Sequence, residues 1–288
     1  MQIAIASGKG GTGKTTVSVN LLHFLTKKYN KVKLIDCDVE EPNSLLFFPG
    51  AILKTDTPVF TEVPEIDGEK CTFCKKCVEW CEFNAISIVK KLHFTEVNYD
   101  LCHSCGACFE ACEFNAIKSV QRPLGNLSEY TTPQGESVAE GRLEIGSAMQ
   151  TALIKQLKKQ QIQETGITLL DAPPGTSCPV VETVATADYV ILVTEPTPFG
   201  LHDLKLTVEL LDDLKKPFGV IVNKAGLGNN KVFSYLKKNN ISLLGEIPFS
   251  KNYAKRYSTG KLFESIPIEV ETTYNSIIDQ LKPVLQSA

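Results

Sequence analysis

A short apolar segment at residues 2–7 runs directly into Gly8-Lys9-Gly10-Gly11-Thr12-Gly13-Lys14-Thr15, and apolar residues at helical spacing (Val17, Leu21, Phe24, Leu25) follow. Strand, glycine loop, helix: the order fits the pattern G-x-x-x-x-G-K-[ST] and constrains the fold more than any other feature of the chain. Glycines let backbone N–H groups converge on phosphate oxygens, and the helix adds the positive end of its dipole. The segment therefore predicts an α/β domain that binds ATP. Lys14 is expected on the β- and γ-phosphates and Thr15 on Mg²⁺. Gly8, Lys9, Gly10, Gly11, Thr12, Gly13 and Thr16 complete the expected phosphate cradle.

The rest of the chain keeps the same rhythm. A second strand is expected at 31–36, and strands at 166–171, 189–194, 218–223 and 241–247. Helices are expected at 147–161, 179–186, 202–214, 231–239 and 271–285, with Pro283 kinking the last. Such alternation implies right-handed crossovers and a mostly parallel sheet with helices on both faces. Residues 122–146, polar and rich in Gly, Pro, Ser and Thr, read as a loop or linker. The chain has 288 residues and a net charge of −3, which disfavours nucleic acid as the main partner. No apolar run reaches the roughly 18 residues of a membrane span. No basic segment precedes the first strand, so a cytoplasmic protein with no membrane partner is expected.

The cysteines break the rhythm. Eight of the ten lie between Cys71 and Cys112. Cys71-x2-Cys74-x2-Cys77-x3-Cys81 recurs 31 residues later as Cys102-x2-Cys105-x2-Cys108-x3-Cys112, and Glu82-Phe83-Asn84-Ala85-Ile86 recurs as Glu113-Phe114-Asn115-Ala116-Ile117. This is an internal duplication. Disulfides suit a cytoplasmic chain poorly, so metal is the better reading. Zinc competes, although zinc knuckles normally separate their cysteine pairs by longer spacers. The doubled motif resembles bacterial two-cluster ferredoxins, in which the fourth cysteine of each run serves the other cluster. That resemblance implies one [4Fe–4S] cluster on Cys71, Cys74, Cys77 and Cys112, and a second on Cys102, Cys105, Cys108 and Cys81. Glu82 and Glu113 stand where the pattern has proline. Ile86, Ile88, Ile117 and Val120 read as the core of this small α+β unit, Trp80 as packing, and His103 as a residue beside a cluster. Residues 60–120 carry ten acidic against six basic side chains.

Lys9-Gly10-Gly11-Thr12-Gly13-Lys14-Thr15-Thr16 resembles the deviant phosphate loop of the MinD/ParA ATPases, which has an extra lysine near its start. The resemblance implies that Lys9 reaches across a nucleotide-sandwich homodimer to phosphate on the other subunit. Asp36-Cys37-Asp38 matches that family's D-x-D segment, implying Mg²⁺ assistance by Asp36 and positioning of the attacking water by Asp38. Asp171 is the expected second Mg²⁺ carboxylate, Asn223 the adenine-reading asparagine, and Pro248 part of the loop packed on the base. The stretch 260–267 resembles the family's closing region. The domains expected are an ATPase of residues 1–59 and 121–288 with a ferredoxin-like insertion at 60–120, leaving the sheet just after Asp38.

Cys37 reads as core. Cys178 sits seven residues after Asp171, the spacing at which the nitrogenase iron protein places a bridging-cluster ligand, although no second ligand accompanies it. Three uses follow from the resemblance: ATP-dependent handling of metal clusters for a client protein, ATP-gated electron transfer to a redox partner, or spatial organisation in the manner of MinD and ParA. The last is disfavoured, because the tail from residue 269 is acidic and no basic stripe for DNA is present.

Overall fold

In the computed structural model, which describes residues 1–260, 262–264 and 266–286, the apolar segment before the glycine loop is an interior strand of a nine-stranded sheet. The chain runs β1 (Gln2–Ala6), α1 (Lys14–Thr26), β2 (Val32–Asp36), a 3₁₀ turn (Ser44–Phe47), β3 (Ile52–Ile66), α2 (Lys76–Glu79), β4 (Ile86–Val89), β5 (Phe94–Val97), α3 (Ala107–Glu110), β6 (Ile117–Thr131) and β7 (Ser137–Leu143). It continues α4 (Gln150–Gln161), β8 (Ile167–Asp171), α5 (Cys178–Ala185), β9 (Tyr189–Thr194), α6 (Pro198–Asp213), β10 (Phe218–Ala225), α7 (Lys231–Lys238), β11 (Leu243–Pro248), α8 (Lys251–Ser258) and α9 (Ile268–Gln286).

The sheet order is β11-β10-β9-β1-β8-β2-β7-β6-β3, parallel from β11 through β7 and antiparallel beyond. Strands covered on both faces need apolar residues at every position, and β1 shows why. Ile3 and Ile5 pack with α1 and α9 through Leu21, Phe24, Tyr274 and Ile277, while Ala4 and Ala6 face the layer of α4 to α7. The expected α/β class with helices on both faces is the observed one. β1 lies between β8 and β9, so its carboxyl end opens where the chain order reverses, the place where such sheets bind ligands.

The segment 122–146 is not a linker. Most of it forms β6 and β7, which extend the sheet beyond β2. The composition hid this because β6 shows little period-2 apolar patterning; its Leu124 and Leu127 are buried, and its register comes from pairing with β3 and β7. Nor does the chain leave the sheet just after Asp38. It first crosses the 3₁₀ turn and then forms β3, the outermost strand. β3 and β6 pair from Ile52 with Thr131 to Ile66 with Ile117. Their near half completes the sheet through the β6–β7 pairing at Gly125–Thr131, and the far half continues past it as a two-stranded ribbon. Neither strand is interrupted at residue 60 or 120, although the register shifts between Val59 and Phe60. Pro64 is tolerated because β3 is an edge strand.

Beyond the ribbon the duplication is visible in the backbone. Left-handed residues recur 31 positions apart: Phe73 (φ 56°) and Ser104 (φ 50°), Lys75 (φ 68°) and Gly106 (φ 82°), Asn84 (φ 52°) and Asn115 (φ 50°). Each repeat is a loop and a four-residue helix, α2 or α3, and β4 pairs antiparallel with β5 alone. Ile86 and Ile88 are buried, and Ile117 and Val120 pack against them or against Val63. Trp80 instead stands on the surface, 55% exposed. In the closing stretch 260–267, Lys261 and Ser265 lie outside the described residues.

Candidate functional site

The glycine loop leaves α1 without a side-chain cap. Gly13 is its N-cap residue at φ 89°, a left-handed conformation that glycine adopts without a Cβ clash, and the first N–H groups of the helix remain open to an anion. Close approach fixes Gly8 as well, since a Cβ there would lie 2.5 Å from the Asp203 carbonyl oxygen. Lys14 is buried and donates to Asp171 Oδ1 at 2.8 Å, and Ser18 Oγ donates to the same oxygen at 2.8 Å. Burial pushes Lys14 down, but Asp171, with Asp36 and Asp38 behind it, outweighs burial and holds the ammonium above its ordinary value.

The carboxylates come from register. Asp36 pairs with Asp171 across β2 and β8, so both side chains stand on the α1 face at the carboxyl end of the sheet. Burial and the Asp171 charge raise Asp36 above the ordinary carboxylate range. Its oxygens accept the backbone N–H groups of Asp38 (3.1 Å), Asn43 (3.0 Å) and Ser44 (2.9 Å), so it also ties down the loop carrying Asp38. Burial, countered by Lys14, raises Asp38 to about 6. Thr15 is half-buried in the first turn of α1. Two buried oxygens at this loop, Asp171 Oδ2 and Thr12 Oγ1, have no hydrogen-bond partner. Unpaired buried oxygens beside open N–H groups are the complement of a metal–phosphate group. The residues fit Mg²⁺ and a nucleotide.

On the other side of the loop, Asn223 Nδ2 donates to the Thr12 carbonyl at 2.7 Å, and a Cβ on Gly13 would meet that nitrogen at 2.2 Å. A cavity of about 290 Å³ opens beside it, lined by Thr16, Asn223, Pro248, Phe249, Tyr253 and Tyr257 among others. This places Asn223 and Pro248 on one largely apolar cavity next to the phosphate loop. Lys9 points elsewhere: its Nζ is 2.7 Å from Glu195 Oε1.

The eight clustered cysteines line two cavities, and each cavity mixes the repeats. Cys71, Cys74, Cys77 and Cys112 surround one, closed by Ile66, Ile88 and Ile117. Cys81, Cys102, Cys105 and Cys108 surround the other, together with Pro64, Phe83 and His103. Among the described residues, no three His, Cys, Asp or Glu side chains are gathered for a single metal ion. Burial first, then the neighbouring sulfurs, raise Cys77 and Cys108 to about 11 and Cys102 in the same direction. Four thiolates so placed are costly unless a cationic centre lies among them. Backbone N–H groups of Phe73 and Ala85 donate to Cys71 Sγ (3.4 Å) and Cys81 Sγ (3.3 Å). The donor set fits two iron–sulfur clusters. Glu113, in the place of the usual proline, is paired with Lys76 at 2.5 Å, and His103 stacks on Phe83 with centroids 3.8 Å apart. Cys37 is fully buried, and Cys178 is exposed at the start of α5.

The sequence pattern of the CobQ/CobB/MinD/ParA nucleotide binding domain matches residues 3–263. The chain belongs to this family. It is 32% identical over 265 residues to an uncharacterised protein of Methanocaldococcus jannaschii, 91% of either chain. An iron–sulfur cluster carrier protein of Aquifex aeolicus is 24% identical over 302 residues, 99% of this chain and 68% of the carrier. The septum site-determining protein MinD of Pyrococcus horikoshii, solved with Mg-ADP, shares the fold with a TM-score of 0.60, covering 97% of this chain and 95% of that one at 17% identity.

Three residues of this MinD/ParA-family site escaped the motif reading. Ser18 sits one turn beyond Lys14, and Lys224 follows Asn223; Lys224 donates to the Gly11 carbonyl at 2.8 Å. Glu195 directly follows the apolar strand β9, whereas Asp171 is the last residue of β8; the position flags an acid at a strand end but not its partner.

Proposed function

We propose that this chain is an ATP-hydrolysing iron–sulfur protein that pairs into a nucleotide-dependent homodimer and handles metal clusters for a client metalloprotein. The observation that carries the reading is that one continuous pair of strands, β3 and β6, belongs to the ATPase sheet at one end and to the two cysteine-lined cavities at the other. In this reading Lys14 neutralises the transferring phosphate, Thr15, Asp36 and Asp171 serve Mg²⁺, and Asp38 orients the attacking water. Asn223 and Pro248 hold the adenine. Cys71, Cys74, Cys77 and Cys112 hold one [4Fe–4S] cluster, and Cys81, Cys102, Cys105 and Cys108 the other. Bound there, the clusters supply one-electron chemistry or a transferable group. The 24% identity to an iron–sulfur cluster carrier favours handling.

A second reading, ATP-gated electron transfer, is favoured by the apolar side chains that line much of both cavities, which suit resident clusters better than cargo. One cysteine of each quartet, Cys74 in the first and Cys105 in the second, is exposed. Anaerobic purification tests the common core: close to eight iron and eight sulfide per chain are expected, with Mg-dependent ATP turnover. Stoichiometric zinc without iron, after iron-replete anaerobic maturation, would sink it. Retention of all iron in the presence of an apo-client would favour electron transfer over handling.

A further inference from the structure

We propose that Glu195 is a positioning residue that holds Lys9 inside its own subunit and so sets the threshold for nucleotide-dependent pairing; the proposal rests on the dimer reading above. Lys9 Nζ lies 2.7 Å from Glu195 Oε1, and Lys224 Nζ lies 3.1 Å from Glu195 Oε2. Lys224 also holds the Gly11 carbonyl, so one carboxylate braces the phosphate loop at Lys9 directly and at Gly11 through Lys224. Burial alone would raise Glu195, but the two lysines outweigh it and keep the carboxylate below its ordinary range. The contact is local and built: Glu195 directly follows β9, and the Thr197 hydroxyl caps α6 beside it. Phe199, in the first turn of α6, lies 5.8 Å from the Lys9 ammonium and is 76% exposed, an apolar side chain on the face that Lys9 would have to cross.

A lysine already paired with a carboxylate must exchange that anion for phosphate before it can serve a second subunit. Two-fold symmetry requires the exchange twice per dimer. A pair of this exposure changes an equilibrium by about threefold, so removing the charge from both subunits shifts dimerisation by about tenfold. Lys224 keeps the Gly11 carbonyl without Glu195, so Glu195→Gln removes the competing charge at nearly constant shape.

Two measurements test this. The first is amine labelling of nucleotide-free protein read by mass spectrometry: Lys9 in Glu195→Gln is expected to label about threefold faster than in the unaltered chain, and Glu195→Asp more slowly than Glu195→Gln. Equal rates would remove the latch. The second is light scattering of Asp38→Ala with Mg-ATP, with and without Glu195→Gln. The added change is expected to lower the dimerisation midpoint about tenfold, and to have no effect once Lys9→Ala is present. A midpoint that rises, stays fixed, or still shifts without Lys9 overturns the latch alone. An Asp38→Ala protein that binds ATP yet stays monomeric throughout overturns the dimer reading itself.

Discussion

Lys14 and Asp171 are 7% and 0% exposed, so neither charge is compensated by water if the other is removed. Breaking such a pair from one side costs about 3–5 kcal/mol. Lys14→Ala is therefore expected to lose Mg-ATP binding and thermal stability together, seen by calorimetric titration and unfolding of the same sample. Asp38 behaves oppositely. Its carboxyl is raised from 3.8 to about 6 on folding, so the folded chain holds the proton more tightly than the unfolded one. Ionisation then costs stability: nothing is lost below about 4, and the loss is complete above about 6. Asp38→Asn is expected to stabilise nucleotide-free protein by about 1 kcal/mol at pH 8, allowing for solvent screening, and by nothing at pH 4. Hydrolysis is expected to disappear while binding survives. Urea titrations at the two pH values check the first statement; an Asp38→Asn protein less stable at pH 8 would show that the loop needs this charge.

At the scale of elements, the proposed function makes the two short helices half-sites that each need the other. α2 carries Cys77 and α3 carries Cys108, yet each cavity draws its fourth sulfur from the opposite repeat. Cys112→Ser and Cys71→Ser are expected to lose the same cluster, about half of the iron, and the double variant no more than either single one. Cys112→Ser with Cys102→Ser is expected to lose both. Iron analysis of the four proteins decides it, and additive loss in the first pair would return each cluster to its own repeat. How far sequence carries depends on whether a spacing has one solution. The cysteine runs and the loop from Gly8 to Thr15 do, because their chemistry dictates spacing. The near half of β6 does not. Its Gly125, Asn126 and Ser128 look like a linker, and only pairing partners supplied by β3 and β7 make them a strand. Glu195 was illegible for a similar reason: its two lysines come from residues 9 and 224, and no local pattern joins them.

For the whole molecule, the question is how a nucleotide at the end of β1 is felt at the cysteines. The route through Asp38 is long, since β2 and the outermost strand β3 are separated by β7 and β6. A shorter one runs over the surface of the sheet. Asp171 leads through residues 172–177 into α5, and α5 packs on α4, where buried Lys158 bonds to the Glu182 carbonyl and lies 3.3 Å from its carboxylate. The loop entering α4 then meets the cysteine unit: a Cβ on Gly146 would lie 3.6 Å from Asp100 Oδ1. Asp100 is two residues before Cys102, and Tyr99, packed near Cys102, is covered by the Arg122 guanidinium at 3.9 Å. A γ-phosphate biases a loop only through contacts it makes in one state and loses in the other. On the proposed function, the loop after Asp171 is the element expected to sense it. Hydrogen exchange with and without a non-hydrolysable Mg-ATP analogue is therefore expected to change together in residues 172–185, 144–161 and 98–103, and to leave 71–78 unaltered. On the proposed function, a cluster bound among Cys81, Cys102, Cys105 and Cys108 is then expected to shift its reduction potential with nucleotide, and one bound among Cys71, Cys74, Cys77 and Cys112 to shift less. Exchange confined to the phosphate loop, or equal shifts at both clusters, would show that the α5–α4 layer carries no signal and that the ribbon is only a tether.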